Sequence, residues 1–419
     1  CKIAFGDAMK KIVIIGGGAA GLMAACRAAE RYGTSADVII VERNERPARK
    51  VMITGKGRCN VTNNCGTDTL IANVPKNGKF LFSAFSEFDS SDTMEFFETL
   101  GVPLKTERGN RVFPVSDKAS DIVDALVRCA KKRGARIING RAAAVKTENG
   151  TVTGVELSDG EIIDADGVII ATGGMSYPLT GSVGDGYKIA KELGHTVTPI
   201  KPSLVPLTVH EGFCERLSGL SLKNTVLSVF EAGKKKPIFS ELGEMLFTHF
   251  GISGPLVLSA SAHMRKIGEK QYTAHLDLKP GLSHEQLDSR LLRDFDGAKN
   301  RDFANSLDKL LPKSIIPVII SLSGIPSDEK VNQISREQRE RLCGVIKNLT
   351  FHITGTRPIE EAIITGGGIS VKEINPSTME SKIIKGLYFA GEVIDVDAYT
   401  GGFNLQIAFS TGYTAGNSI

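Results

Sequence analysis

Lys11-Ile-Val-Ile-Ile-Gly-Gly-Gly-Ala-Ala-Gly21 decides the fold. The apolar run Ile12 to Ile15 reads as a buried strand. It enters Gly16-x-Gly18-x-x-Gly21, and Leu22 to Ala29 continues as a small-residue helix. Gly16 permits the tight turn. Gly18 removes the Cβ that would hold a pyrophosphate off the backbone, and Gly21 lets helix and strand pack closely. Ala19 and Ala20 sit where the helix turns its free N–H groups and positive dipole end toward phosphates. A second strand, Asp37 to Glu42, ends in a carboxylate about twenty residues beyond Gly21. An acid that binds a ribose hydroxyl belongs there. Together these features predict a dinucleotide site in an α/β, Rossmann-type domain.

A chain of 419 residues exceeds one typical core, so two or three domains are expected. Net charge is only +4, with Lys and Arg scattered among acids. Without a basic stripe, a nucleic-acid partner is not expected. Lys234-Lys235-Lys236 beside Pro237 reads as a solvated turn. The cysteines are odd in number and form no CxxC. That argues for reduced thiols in a cytoplasmic protein, not a disulfide framework or zinc ribbon. No apolar run reaches about 18 residues, so no transmembrane helix is expected. Residues 1–8 lack the apolar core of a signal peptide. Met9 directly precedes the first strand, so they read as a non-native extension. No HExxH or similar pairing points to a metal site.

Residues 10–45 read β-α-β, and 46–66 as a long loop. Residues 80–100 and Ala119 to Arg133 read as helices, and Arg136 to Val145 as a strand. Hairpins follow at Asn149-Gly150 and Asp159-Gly160. Gly167 to Gly174 is a buried strand ending in a glycine turn. Near residue 195 the pattern changes. Short alternating segments suggest a β-rich region over about 195–280, and 283–350 reads as helical. The α/β pattern returns from about 355, and a last helix runs from near Phe403 to about Ala415. Residues 9–190 and 356–419 are therefore expected to form one discontinuous domain around an insertion at 191–355.

Two segments favour a flavin over a simple nicotinamide site. Ala171-Thr172-Gly173-Gly174 ends one strand, and Leu387-Tyr388-Phe389-Ala390-Gly391-Glu392 ends another near the C-terminus. Acidic side chains there, Glu392 and Asp395, suit ribityl hydroxyls. The helix opening at Gly401-Gly402-Phe403-Asn404 can point its N-terminus at the pyrimidine edge of a flavin, where its dipole stabilises negative charge. Such a C-terminal return is what FAD, spanning a domain end to end, requires.

Four motifs then point to a family: Gly55-Lys-Gly-Arg-Cys-Asn-Val-Thr-Asn63, Gly243-Glu-Met-Leu-Phe-Thr-His-Phe-Gly-Ile-Ser-Gly-Pro255, Thr365-Gly-Gly-Gly-Ile-Ser-Val371, and Gly391 to Gln406. The chain resembles, over residues 10–416, the bacterial flavoproteins of the BaiN or aminoacetone-oxidase type. The resemblance implies FAD in a Rossmann-type domain, an inserted β-barrel-like domain, a helical piece, and redox chemistry on small organic molecules. It implies that Gly16, Gly18, Ala19, Ala20 and Gly21 hold the pyrophosphate. Glu42 and Arg43 would meet adenosine, and Lys50 with Gly57, Arg58, Cys59 and Asn60 would wrap the flavin and its ribityl chain. Ala142 and Ala143 would approach adenine, and Thr172 and Gly173 would lie along the cofactor. Gly391, Glu392, Asp395, Asn404 and Leu405 would take the ribityl and ring end, with Gly402 at the helix start.

Flavin performs its own hydride chemistry, so no protein nucleophile is required. Tyr177 and Tyr399 are candidate proton donors. His249 reads as structural, Cys59 as a packing or cofactor contact, and Asp185 as a helix cap. The insertion holds no second complete GxGxxG, so NADH or NADPH would visit transiently. The expected activity is an FAD-dependent oxidoreductase acting on a small molecule, with reduction of a conjugated enone as one form. The rivals are an oxygen-using oxidase of a small amine or amino ketone, and a flavin-binding protein that acts on RNA or as a sensor.

Overall fold

The computed structural model describes residues 9–264 and 266–419; the expectation for residues 1–8 lies outside them. The chain divides into two compact units, one reaching to Ser203 and resuming at Pro358–Ile419, the other Leu204–Arg357.

In the first unit, β1 (Lys10–Ile15) runs through the glycine turn into α1 (Ala19–Tyr32) and β2 (Ala36–Glu42). The loop expected over 46–66 contains α2 (Arg49–Ile53) and β3 (Thr62–Asn63), and α3 (Thr67–Ala72) follows. The single helix expected over 80–100 is two, α4 (Phe82–Glu87) and α5 (Ser90–Thr99). Asp89 breaks it, because its carboxylate accepts from the N–H groups of Ser91 and Asp92 and so starts a new helix. Then β4 (Leu104–Glu107) and β5 (Arg111–Pro114) join β3 in a small antiparallel sheet, and α6 (Ala119–Lys132) follows.

The strand expected over 136–145 also splits. β6 (Arg136–Asn139) is parallel to β2, whereas β7 (Ala142–Glu148) joins β8 (Thr151–Leu157) and β9 (Ile162–Asp164) in another sheet. Gly140 marks the exit. A Cβ there would lie 3.2 Å from the Leu157 side chain. After β10 (Gly167–Ile170) come α7 (Asp185–Glu192) and β11 (Lys201–Ser203).

The second unit contains β12 (Leu207–Val209), α8 (Phe213–Arg216), β13 (Ser221–Glu231), β14 (Phe239–Thr248), β15 (Gly251–Ser253), α9 (Pro255–His263), β16 (Tyr272–Asp277), α10 (His284–Asp296), α11 (Ile316–Ser323), α12 (Arg336–Lys347) and β17 (Leu349–Thr356). Its six strands close a barrel in the order β12-β15-β14-β13-β16-β17. Alternating inward residues such as Leu227, Met245, Phe247 and Phe351 fill its core.

The first unit resumes with β18 (Ile364–Gly366), β19 (Leu387–Phe389) and α13 (Phe403–Ser418). Its boundary lies later than the expected 191, because β11 pairs antiparallel with β18. The main sheet is parallel, in the order β19-β10-β1-β2-β6. Its central strands read as unbroken Val/Ile runs because both faces are covered. α13 packs on α1 at backbone distance. Added Cβ atoms at Gly412 and Gly416 would lie 2.4 and 2.3 Å from the carbonyl oxygens of Ala20 and Ala24. Among the described residues, no helix is long and apolar enough to cross a membrane.

Candidate cofactor cleft

The carboxyl ends of the five parallel strands open onto one cleft. Its wall takes Gly140 beyond β6, Glu42 ending β2, Gly16 beyond β1, Ala171 beyond β10 and Ala390 beyond β19. At roughly 4.8 Å between strands, five strands span roughly 19 Å, suited to an extended dinucleotide rather than a mononucleotide. The cleft encloses about 1330 Å³ with its open mouth included.

The glycine turn has the conformation its sequence predicts. Gly16 has φ +105°, and a Cβ there would sit 2.6 Å from the Ala171 carbonyl oxygen. A Cβ on Gly21 would sit 1.9 Å from the Gly16 carbonyl oxygen, so Gly21 serves packing and does not line the cleft. Gly18 is different. It lines the cleft, and a Cβ there would meet nothing within 4 Å. It caps α1 with no side-chain hydrogen bond, and Ala19 and Ala20 follow on the cleft wall. The first-turn N–H groups of α1 lack intrahelical partners. This uncovered cradle at a helix N-terminus, placed midway along the strand ends, fits the pyrophosphate of FAD.

Toward β6, Glu42 is buried. Its Oε2 accepts from Gly17 N at 2.8 Å, and Oε1 accepts from Asn44 N at 2.8 Å and Asn44 Nδ2 at 2.7 Å. A carboxylate has about four lone-pair sites, so capacity remains for a ribose hydroxyl. Arg43 and Ala142 line this end, whereas Ala143 does not, because it is the extra residue of a β-bulge between Ala142 and Ala144.

Toward β19, Thr172, Gly173, Gly391, Glu392, Lys50, Asn404 and Leu405 line the wall. Lys50 Nζ donates to Ser176 Oγ and Glu392 Oε2, both at 2.7 Å. Ser176 Oγ donates in turn to Glu392 Oε1 at 3.1 Å, and Thr365 N donates to the same oxygen at 2.9 Å. Thr365 Oγ1 accepts from Met175 N and Ser176 N. Asn404 clamps the turn before α13, accepting from Ala398 N and donating to Ala398 O, each at 2.9 Å.

Several expected contacts lie off the cleft wall. Arg58 pairs with Glu107 and Asp117 and stacks on Phe113 at 4.2 Å. That guanidinium holds both carboxyls below their ordinary range; for Asp117 the Lys105 ammonium is the larger cause. Gly57 is exposed at a turn, and Cys59 is wholly buried, its thiol pushed up to about 12 by burial. No thiolate is available there near neutrality. Asn60 keeps a buried carbonyl oxygen without a partner. Asp395 is buried against Lys76 and Asn77, because Val396 takes the cleft-facing place beside it. Gly402, at φ +100°, packs on Thr62 so closely that a Cβ would lie 2.3 Å from its carbonyl, so protein packing by itself requires glycine there. Tyr177 and Tyr399 are half-buried and off the wall. Burial and nearby Glu361 raise the Tyr177 phenol, which weakens it as a proton source.

Sequence reasoning missed Asn44, Gly140, Arg141, Ser182 and Ile363 on the wall and the supporting Ser176 and Thr365. Thr365 stood inside a quoted motif, and the Gly173-Gly174-Met-Ser176 turn was the available signal.

The family model described as the HI0933-like protein Rossmann domain matches residues 10–418. The 3-dehydro-bile acid delta(4,6)-reductase of Clostridium scindens is 32% identical over 98% of this chain and 99% of its own length. The ribosomal RNA dihydrouridine synthase of Escherichia coli is 31% identical over 97% of each. A flavocytochrome c3 fumarate reductase structure overlaps 98% of this chain and 78% of its own, at 18% identity and TM-score 0.47.

Proposed function

This chain belongs to the HI0933-like Rossmann family, a family of FAD-dependent oxidoreductases, and we propose that it reduces a carbon–carbon double bond conjugated to a carbonyl. The observation that carries this reading is the bond shared by two relatives of full length. A 3-dehydro-bile acid with delta(4,6) unsaturation holds alkenes conjugated to a ketone. A dihydrouridine synthase saturates the uracil double bond conjugated to its carbonyl. Both reactions add a hydride to one carbon and a proton to the other.

FAD supplies the two-electron hydride chemistry when bound. The chain's own part is positioning. The first turn of α1 would bind the pyrophosphate through Gly18, Ala19 and Ala20, and Glu42 would orient the adenosine ribose. The run Lys50–Ser176–Glu392–Thr365 holds a fixed ammonium on the cleft wall near the end of β19. Oriented by its pair with Glu392, that ammonium would stand ready to stabilise negative charge developing on a bound flavin. NADH or NADPH is the proposed donor, visiting transiently, and a small neutral enone the proposed acceptor. A second reading, uridine in RNA as acceptor, is favoured by the name of the Escherichia coli relative.

The test is anaerobic mixing of the FAD-loaded protein with NADH or NADPH, then with a 3-oxo-4-ene steroid or a uridine-containing ribosomal RNA. Flavin bleaching by a nicotinamide and its return on adding one acceptor, with the saturated product, is expected. Bleaching by an amine or amino ketone instead, with peroxide formed under air, would overturn the proposal in favour of an oxidase.

A further inference from the structure

Across the cleft from the ends of β2 and β6, the side chains of Arg43 and Arg141, in the loops just beyond those strands, meet that of Asp185 on α7. Asp185 opens α7, but its carboxylate is turned away from capping. Oδ1 accepts from Arg141 Nη2 at 2.6 Å and Oδ2 from Arg141 Nε at 2.9 Å, a bidentate pair. Oδ2 also accepts from Arg43 Nη1 at 3.3 Å. All three residues line the cleft.

Their backbones are pinned. Arg141 O accepts from Ser158 N and Ser158 Oγ. Gly140 N donates to Glu42 O, and Asn139 Nδ2 donates to the carbonyls of Glu42 and Asn44 on either side of Arg43. α7 is seated so closely that a Cβ on Gly186 would lie 2.2 Å from Thr172 Oγ1. With the backbone so held, the conformational freedom of the three lies mainly in their side chains. The Arg141 side chain is 52% exposed and Asp185 20% exposed, so the pair is open to solvent on one side and to the cleft on the other. Long, exposed arginines pinned only through their tips make a closure that salt and thermal motion can open.

We infer that Asp185, Arg141 and Arg43 form a latch over the adenosine end of FAD, setting how fast the cofactor leaves. The inference rests on reading the cleft as an FAD site. Asp185 is here a positioning residue that acts through the two arginines. Arg43 and Arg141 stand beyond β2 and β6, on the adenosine side of the pyrophosphate cradle, and reach to Asp185 on α7, which packs at Thr172 beyond β10, so the arginine side of the bridge lies where the adenosine half would be held.

FMN lacks the adenosine, and this separates a latch from a merely structural role. The experiment measures dissociation rates of FAD and FMN from the parent, Asp185→Asn, Arg141→Gln and the double variant, at low and high salt. Expected is roughly tenfold faster FAD release in each single variant, the factor that about 1.4 kcal/mol gives. The double variant should release FAD no faster than Asp185→Asn alone, since that substitution already breaks the pairs with both Arg141 and Arg43. FMN release should be unchanged. Salt should accelerate FAD release from the parent and much less from the variants. Unchanged FAD release, or equal acceleration of FAD and FMN, would overturn the latch. Failure of the parent to bind FAD would instead overturn the reading on which it rests. Arg141→Gln, altered on an exposed side chain, keeps the test decisive if Asp185→Asn folds poorly.

Discussion

The two ends of the cleft are built on opposite plans. Near β19, Lys50, Ser176, Glu392 and Thr365 form a sheltered network in which each polar atom has a fixed partner. Near β6, Arg141, Asp185 and Arg43 meet through exposed tips. Sheltered hydrogen-bonded ions hold geometry, whereas exposed pairs contribute little energy and exchange readily. One end is suited to fixing the reacting ring, the other to admitting and releasing the cofactor.

Between the ends lies the glycine cradle, and it gives the largest expected effect. Gly21→Ala would drive a Cβ into the Gly16 carbonyl, 1.9 Å away. We expect a loss of about 3 kcal/mol or more in stability, visible in chemical denaturation of the cofactor-free protein. A variant as stable as the parent would break the picture of helix and strand locked at that point.

Lys50→Met tests the sheltered end. It removes two donors and leaves Glu392 without its cation, so about 2 kcal/mol of stability should be lost. It should also lower the flavin reduction potential, because a positive charge leaves the cleft wall. Spectroelectrochemical titration of the loaded variant beside the parent checks this. An unshifted potential would mean that the network is scaffolding alone and that the ends do not differ in role.

The smallest effect belongs to Arg58, off the wall. Glu107 and Asp117 are held below their ordinary values of 4.5 and 3.8, chiefly by Arg58 for the first and by Lys105 then Arg58 for the second. A depressed carboxyl contributes stability above its unfolded value and loses it as pH falls through the folded value. Arg58→Ala should therefore lower stability near neutral pH and make its fall with acid shallower, the difference from the parent vanishing at low pH, while leaving FAD release unchanged. Faster FAD release would return Arg58 to the cofactor site.

Local pattern made the strand–turn–helix at 11–29 legible, along with the strand ends at Ala171 and Ala390, because glycine, small and apolar residues there answer to neighbours a few positions away. The same signals led to the expectation of a discontinuous domain; β19 pairs with β10 in the first sheet. What stayed hidden depends on contacts distant in sequence. Nothing near Asp185 announces Arg43 and Arg141, nor anything near Lys50 the Glu392 carboxylate. Asp395 was misplaced because the backbone turns Val396 to the cleft. Gly402 carries a glycine signal with another cause, the backbone of Thr62. The one-helix reading of 80–100 failed at Asp89, whose capping outweighs the surrounding phenylalanine pattern.

Gly18→Val tests the cradle with the least ambiguity. Gly18 has φ −77° and no atom within 4 Å of an added Cβ, so the variant meets no backbone strain at φ and no clash at its Cβ. Its side chain would project where the pyrophosphate is expected. Titration of FAD into the cofactor-free variant, with its thermal unfolding measured alongside, should show a cooperatively folded protein, at most about 1–2 kcal/mol less stable through the poorer N-cap, and FAD affinity weakened by at least roughly a hundredfold, about 2.7 kcal/mol. Parent-like FAD affinity in a folded Gly18→Val protein would contradict the placement of FAD along the strand ends.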